Sequence, residues 1–442
     1  MIKRFIRRVF GLPANHMERV PREKHGLGRD AITPAASKVC AVLRDAGFSA
    51  YVVGGAVRDL LLGIQPKDFD IATDARPEEV KPLFRRAIII GRRFRLVHVM
   101  IGGETVEVST FRAADPDTAE KDEHGRVLRD NVFGTQAEDA RRRDFTVNAL
   151  YFDPATEEVV DFHGGLADLK KRLLRVIGEP RERYREDPVR MLRGVRLAAK
   201  LGLALESATR APIRELAPLM ERVPPARLFD EMLKLLLSGH ASACLRQLRE
   251  VGLHKGLLPL LDVILEQPLG ERFVTLALAQ TDERVLTGRP VSPAFLFAAL
   301  LWHEVLAAWK ARQARGERSI PALESAMDEV LDTQCAKLAI TRKLTATMRE
   351  AWSMQPRFEQ RSGGRPYRLV EAARFRMAYD FLALRAASGE VPAELEEWWR
   401  SFQSADAETR KAMLLPETGP RKRRRRRRKK GPGAPAAAPE AV

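Results

Sequence analysis

The 442-residue sequence has little cysteine and no long apolar run. Its three cysteines, Cys40, Cys244 and Cys335, lie far apart and show neither zinc-ligand spacing nor a disulfide framework, which is typical of proteins in a reducing cytosol. No stretch reaches the roughly eighteen apolar residues that a membrane-spanning helix needs, and no secretory signal peptide is apparent. We therefore expect a cytoplasmic protein without a transmembrane segment, a zinc site or a disulfide.

Acidic residues are outnumbered, because 59 aspartates and glutamates oppose 76 lysines and arginines and leave a formal net charge of +17. Ten of the basic residues form one uninterrupted block at 421–430, yet the remaining chain is still basic. A basic body with a basic tail predicts a polyanionic partner, RNA or DNA more often than a membrane. Residues 1–12 place apolar and basic side chains on opposite helical faces, so we expect a solvated extension, with peripheral membrane association, RNA contact and organelle targeting as alternatives.

The stretch YVVGGAVRDLLLGIQPKDFDIAT at 51–73 combines a short apolar strand, a glycine turn and a helical pattern. The turn falls at Gly54-Gly55, and Arg58 lies in the first helical turn. Glycines let backbone N–H groups approach an anion, and a helix N-terminus favours negative charge. The arrangement therefore predicts a phosphate-binding turn, with the guanidinium of Arg58 close enough to reach the same phosphates.

Two carboxylates follow this turn in the segment KDFDIAT. Because side chains alternate along a strand, Asp68 and Asp70 are expected on one face, where they repel each other unless a cation lies between them. Mg²⁺ suits that position, since it prefers carboxylate oxygens and bridges to substrate phosphates. Glu107, in the strand pattern ETVEVST, is the candidate for a third carboxylate, and a solvated strand residue is the alternative interpretation.

The segment RRRDFTVNALYFD at 141–153 places Asp144 and Asn148 four residues apart, which predicts one face of a helix. A carboxylate beside an amide can bond the hydroxyls of a ribose, and Asp144 could instead stabilise a metal site. Further on, Asp187, Arg190 and Arg193 are predicted to share a helical face. Such a set can match the Watson–Crick edge of a base, or it can form ordinary ion pairs on a helix.

These three motifs, in this order, resemble those of class II nucleotidyltransferases in the DNA polymerase beta superfamily. That group holds the tRNA CCA-adding enzymes and the bacterial poly(A) polymerases. The resemblance implies that Asp68 and Asp70 bind two catalytic Mg²⁺ ions and that Gly54, Gly55 and Arg58 hold the triphosphate.

The same resemblance assigns roles to the two later motifs. It implies that Asp144 is either an active-site carboxylate or a ribose ligand, with Asn148 beside it. The match of EDPVRMLR to the EDxxRxxR motif, through Glu186, Asp187, Arg190 and Arg193, implies a protein-side template for the incoming base.

The expected fold class is α+β, with a small mixed-sheet nucleotidyltransferase head, an all-α helical body and a disordered basic tail. Apolar helical patterns fill the second half of the chain, and a block of like charges such as 421–430 cannot pack. The predicted domains are a basic extension at 1–25, the head at 26–180, a helical nucleotide- and RNA-binding domain at 181–260, a helical RNA-binding body at 261–415 and the arginine-rich tail at 416–442.

Within this superfamily the sequence resembles the bacterial poly(A) polymerases at 20–30, at 91–99 and in its arginine-rich tail. We therefore expect template-independent transfer of AMP from ATP to RNA 3′-hydroxyl ends, in mRNA polyadenylation that promotes RNA decay. Expected partners are ATP, RNA 3′ ends and RNA-decay proteins. Two alternatives are a CCA-adding tRNA nucleotidyltransferase and a non-catalytic RNA-binding protein, and the intact Asp68 and Asp70 argue against the second.

Overall fold

The structure is a computed structural model that describes residues 17–91, 95–113, 120–121, 127–129, 132–254 and 268–416. Its N-terminal part contains an eight-stranded mixed sheet in the order β1-β10-β9-β2-β3-β6-β5-β4. Among the described strands of this sheet, β3 and β6 pair in parallel and the other neighbours pair antiparallel. The strands are β1 (Glu18–Val20), β2 (Ala50–Val53), β3 (Asp70–Thr73), β4 (Ala87–Ile90), β5 (Leu96–Ile101), β6 (Glu104–Thr110), β9 (Leu150–Asp153) and β10 (Glu158–Asp161).

Two short strand pairs lie outside this sheet. β7 (Glu120–Lys121) pairs with β8 (Val127–Arg129), and β11 (Leu173–Leu174) pairs in parallel with β12 (Ala204–Leu205). The helices of this first part are α1 (Arg22–His25), α2 (Pro34–Asp45), α3 (Gly55–Leu61), α4 (Pro77–Val80), α5 (Gln136–Arg142), α6 (Gly165–Lys170), α7 (Pro180–Glu186) and α8 (Val189–Leu201).

Alternation along the central strands divides the sheet into two faces. Val52, Ile71 and Val108 are buried on the face against which α2 packs, where Thr33 caps that helix through a 3.3 Å bond from Ala36 N. On the other face, Tyr51, Val53, Ala72 and Tyr151 belong to one apolar cluster with residues of α5 and β10. The second face also carries Asp70, because side chains two residues apart along a strand point the same way.

The remaining described chain is helical, apart from its connecting turns. Its helices are α9 (Ser207–Arg210), α10 (Ile213–Leu216), α11 (Pro225–Leu236), α12 (Ala241–Val251), α13 (Pro268–Leu286), α14 (Pro293–Ala314), α15 (Ser319–Cys335), α16 (Arg342–Met354), α17 (Arg365–Val370), α18 (Phe375–Ser388), α19 (Ala393–Ser404) and α20 (Ala407–Met413). The chain divides into two compact units, 1–349 and 350–442. The core of the second unit is aromatic, with Trp399 meeting Phe358 edge-on at 5.1 Å between ring centroids.

The α+β head and the helical body confirm the expected fold class, but the boundary of the extension is wrong. β1 pairs with β10, Val20 is buried, and Arg19 forms a 3.2 Å ion pair with Glu158. The ordered head therefore begins before residue 26, because β1 completes the edge of the sheet. Residues 1–16, with the predicted amphipathic segment, and the predicted tail from 417 onward lie outside the described residues.

One described helix, α14, is long and apolar enough to cross a membrane by length and composition alone. Its apolar window is 56% buried inside the folded body, and Phe297 and Trp302 are fully buried. A core helix of a folded protein passes the same test. The expectation that no transmembrane segment exists stays a prediction.

Candidate active site

The predicted glycine turn is present between β2 and α3. Gly54 has φ 74° and ψ −123°, a backbone conformation that residues with a Cβ rarely adopt, and Gly55 begins the helix. A Cβ on Gly54 would lie 3.2 Å from Arg143 Nη1 and 3.6 Å from Asn148 O. Glycine is therefore required at position 54 both for the turn and for the close approach of the segment that contains Arg143.

Arg58 is buried beside the turn and is committed to two neighbours. Its Nε and Nη2 donate to Asp59 Oδ1 at 2.8 and 2.6 Å, and its Nη1 donates to Asn148 Oδ1 at 2.5 Å. Asn148 Nδ2 in turn donates to Asp144 Oδ1 at 2.9 Å. The structure thus joins the predicted nucleotide-binding residues Arg58 and Asn148 to the predicted catalytic residue Asp144 in one hydrogen-bonded chain.

The predicted carboxylate pair lies next to the turn in space. β3 begins at Asp70, so Asp68 precedes the strand, but both side chains are exposed while Phe69 and Ile71 are buried. The parallel register of β3 and β6 places Glu107 directly beside Asp70. The structure therefore brings together all three carboxylates that were predicted to bind metal.

The electrostatics of this row of carboxylates are unfavourable without a cation. Partial loss of hydration and then the negative charges of Glu107 and Asp68 raise the pKa of Asp70 to about 6, against the opposing charge of Arg143. On its other side, Glu107 Oε2 lies 3.7 Å from His98 Nε2. Neutralisation of these like charges would stabilise the row.

The carboxylate oxygens fit a divalent cation whose remaining ligands come from the substrate and from water. Among the described residues no group of three or more His, Cys, Asp or Glu side chains is arranged to hold a metal ion by itself. Mg²⁺ is usually held by one or two carboxylates together with waters and substrate phosphates, so it needs no such cage. An open row of Asp68, Asp70 and Glu107 beside a glycine turn matches that requirement.

Asp144 does not lie on a helix with Asn148, so that prediction is wrong. α5 ends at Arg142, and Phe145 is extended because it is fully buried and forms a β-bridge with Val176. A 3₁₀ turn at Thr146–Asn148 then brings Asn148 back to Asp144.

Asp144 is buried and paired with α8. Its Oδ2 lies 2.6 Å from Arg193 Nη2, and its Oδ1 accepts from Phe145 N at 2.8 Å. Burial by itself would raise the pKa of Asp144, but the charge of Arg193 and the hydrogen bonds from Asn148 and Phe145 outweigh it and lower the pKa. Asp144 therefore connects the head to the predicted base-binding helix, and its catalytic role stays a prediction.

Asp187 is not on the same helix as Arg190 and Arg193, which corrects the predicted common face. It lies in the break between α7 and α8 with φ −147° and ψ 93°, because Pro188 disfavours a helical conformation in the residue before it. Its Oδ2 lies 2.6 Å from Arg227 Nη2 on α11. This side chain also lines a cavity of about 580 Å³.

The three predicted base-binding residues have separate partners in the described chain. Arg190 Nη1 donates to Glu186 Oε2 at 2.9 Å and to Arg183 O at 2.7 Å, whereas Arg193 pairs with Asp144. Glu186 and Arg190 do form an ion pair, but it spans the break between α7 and α8 and does not lie on one helix as the alternative interpretation had it. The structure brings Arg193 to the head and leaves Asp187 at the neighbouring cavity.

Sequence reasoning missed a buried cluster behind the turn. Asp139 accepts hydrogen bonds from Arg142, Arg143 and Tyr151, and Arg143 extends from there towards Gly54. The four-residue spacing of Asp139 and Arg143 was an available signal for their ion pair. Tyr151 carried no such signal, since its contact depends on how β9 is placed.

Comparisons with known proteins identify the family of this chain. Family models match in three places, described as the poly A polymerase head domain at 50–175, the probable RNA and SrmB-binding site of polymerase A at 202–265, and the polymerase A arginine-rich C-terminus at 315–431. The chain is 44% identical over 423 residues to poly(A) polymerase I of Salmonella typhi, covering 92% of this chain and 91% of that protein. It is 46% identical over 421 residues to poly(A) polymerase I of Escherichia coli O157:H7, covering 91% and 90%.

CCA-adding enzymes are also similar, over a shorter sequence range. The CCA-adding enzyme of Streptococcus pneumoniae (strain ATCC BAA-255 / R6) is 44% identical over 196 residues, which is 44% of this chain and 48% of that protein. The structure of the Bacillus stearothermophilus CCA-adding enzyme in complex with CTP is 28% identical, with a TM-score of 0.56 over 84% of this chain and 82% of that chain. The Thermotoga maritima CCA-adding enzyme complexed with tRNA, at 19% identity and a TM-score of 0.58 over 88% and 89%, shares the fold.

Proposed function

Because the chain belongs to the bacterial poly(A) polymerase family of nucleotidyltransferases, we propose that it transfers AMP from ATP to the 3′-hydroxyl of RNA without a template. The observation that carries the chemistry is the register pair Asp70–Glu107 beside the Gly54 turn. The choice of ATP and RNA rests on relatives named poly(A) polymerase I that are 44–46% identical over nine-tenths of the chain, whereas a CCA-adding enzyme reaches 44% identity over only 44% of it.

Residues of the head and of the helices that follow it bind different parts of the nucleotide. The turn at Gly54-Gly55 receives the triphosphate, since the positive φ of Gly54 and the absence of a Cβ let its backbone approach an anion closely. Asp144 and Asn148 orient the ribose, with Arg58 holding the Asn148 amide. Asp187, Arg190 and Arg193 select the base.

Asp68, Asp70 and Glu107 would hold two Mg²⁺ ions. Bound Mg²⁺ supplies Lewis-acid activation of the RNA 3′-oxygen and neutralises the triphosphate and the leaving pyrophosphate. Asp70 and Glu107 orient the acceptor end by their fixed places on adjacent strands, which a rigid sheet maintains better than a loop.

We further propose mRNA as the substrate, in polyadenylation that promotes decay, and a cytoplasmic location. The family model over 202–265 is named for RNA and SrmB binding, which supports RNA contact and a protein partner at these helices. Residues 255–267 lie outside the described residues, as do 92–94 of the segment that resembles poly(A) polymerases.

The test supplies purified protein and Mg²⁺ with each nucleoside triphosphate in turn, on an unstructured RNA and on a tRNA that lacks its CCA end. We expect long adenylate tails on the unstructured RNA and little use of CTP on either RNA. Ordered addition of two C residues and one A to the trimmed tRNA would instead establish the CCA-adding function. An inactive protein with normal RNA affinity would establish the non-catalytic alternative.

A further inference from the structure

Asp139 is a carboxylate that the proposed reaction does not use, although it lies close behind the phosphate-binding turn. It is 1% exposed, and its Oδ2 accepts from Tyr151 Oη at 2.7 Å and from Arg143 Nη2 at 2.9 Å. Its Oδ1 accepts from Arg142 Nε at 2.9 Å. Burial of a charge is costly unless it is paired and hydrogen-bonded, so Asp139 and its donors must be maintained as one unit.

Arg143 is held by this unit from two sides. Its Nε donates to Tyr151 Oη at 3.1 Å as well as to Asp139, and its guanidinium carbon lies 5.2 Å from the centroid of the Tyr151 ring. Tyr151 is itself fully buried on β9, opposite Val53 in the register with β2. The tyrosine is thus anchored to the strand that leads into the Gly54 turn.

The far end of Arg143 reaches the candidate active site. Its Nη1 donates to Asn148 O at 3.3 Å and lies 3.2 Å from the position that a Cβ on Gly54 would occupy. Its charge also acts on Asp70. The side chain is 19% exposed, and Nη1 and Nη2, which each carry two N–H groups, each donate to one acceptor within the described part of the chain.

We propose that Asp139 and Tyr151 are positioning residues that hold Arg143 at the Gly54 turn, with its open edge ready to donate to the triphosphate of ATP. An arginine side chain loses considerable rotamer freedom when it binds a phosphate, and the two buried anchors remove that freedom before ATP arrives. This inference rests on the proposed function, because it assigns the anion at the turn to ATP.

The experiment compares Tyr151→Phe with Tyr184→Phe in the full chain. Tyr184 is an equally buried tyrosine whose hydroxyl donates to Thr209 O at 2.9 Å, outside the Gly54 turn, so it is a matched control for the loss of one buried hydroxyl. Steady-state kinetics with varied ATP, RNA affinity and the rise of Tm with added ATP and Mg²⁺ are measured for both. Asp139→Asn, which keeps the shape of the side chain, is the stronger second variant.

We expect Tyr151→Phe to lower kcat/KM for ATP about tenfold, since it removes one hydrogen bond to a charged group, and Asp139→Asn to lower it further. Both variants should show a smaller ATP-dependent rise in Tm and unchanged RNA affinity, whereas Tyr184→Phe should lose only basal Tm. Equal kinetics for the two phenylalanine variants would overturn the inference and leave Tyr151 a packing residue. If the wild type transferred no AMP, the proposed function would fail, and the ATP-dependent Tm shift would still decide whether Tyr151 positions Arg143.

Discussion

The head contains two acidic groups whose negative charges are balanced differently. One is the row of Asp68, Asp70 and Glu107, and the other is Asp139 with its arginine and tyrosine partners. Asp70 stands beside Glu107 with Asp68 nearby, and its pKa rises to about 6. For Asp139, burial alone would also raise the pKa, but the charges of Arg143 and Arg142 and the hydrogen bond from Tyr151 lower it to about 2. The difference separates a row of like charges, which a cation would neutralise, from a buried carboxylate whose charge is already balanced by its neighbours.

The comparison also shows where stability and function diverge. Like charges side by side destabilise the folded protein, and such unfavourable arrangements are retained where binding or catalysis needs them. Buried ion pairs, by contrast, become strongly destabilising once one partner is removed. Substitutions in the two groups should therefore separate loss of activity from loss of stability.

Asp70→Ala should give the largest effect. Removal of this carboxylate should lower the single-turnover rate of AMP transfer at least about a thousandfold, since the lost metal ligand is worth several kcal/mol in the transition state. Tm should stay the same or rise, because the repulsion with Glu107 is relieved. RNA affinity, measured in parallel, should be retained. Near-normal turnover in this variant would remove the basis for the metal assignment.

Asp144→Ala should instead lower the stability of the folded protein. It leaves Arg193, whose side chain is 38% exposed, without its 2.6 Å partner and removes the hydrogen bonds that Asp144 accepts, so we expect the free energy of unfolding to fall by about 1–3 kcal/mol. Urea unfolding of Asp144→Ala, Arg193→Ala and the double variant measures the coupling between the two side chains. Additive losses would show that the pair does not join the head to α8.

The Asp139 carboxylate should make stability depend on acid. Its folded pKa of about 2 lies below the unfolded value, so its contribution is fully present above about pH 4 and is lost as the pH falls towards 2. The shift corresponds to about 2 kcal/mol. Chemical unfolding of the wild type and of Asp139→Asn between pH 5 and pH 2, as bounded by these pKa values, measures it. A pH dependence of the same steepness in both proteins would contradict this account.

Loss of an exposed arginine–carboxylate ion pair should have almost no effect on stability or activity. Arg181 and Glu215 meet at 2.6 Å, but both side chains are largely in solvent, which screens their attraction. Glu215→Gln should therefore leave Tm and AMP transfer unchanged within error, and thermal unfolding with a standard assay checks this. A loss comparable to that of Asp144→Ala would mean that burial does not explain the contrast between the groups.

The parts of the site that depend on neighbouring residues could be predicted from the sequence. The Gly54 turn follows from a strand, two glycines and a helical pattern, and the exposure of Asp68 and Asp70 follows from alternation around buried Phe69 and Ile71. The break between α7 and α8 at Asp187 could also have been predicted, because a residue before proline avoids the helical region. Such features are set by backbone sterics over a few residues.

The contacts that complete the site were decided by the tertiary structure. Glu107 meets Asp70 only because β3 and β6 pair in one parallel register, and Tyr151 meets Arg143 only because β9 lies beside β2. The helix predicted through Asp144 failed for the same reason, since burial of Phe145 against Val176 outweighed local helical preference. Register and burial are chosen by how distant segments fill both faces of the sheet together, and no short stretch of sequence carries that information.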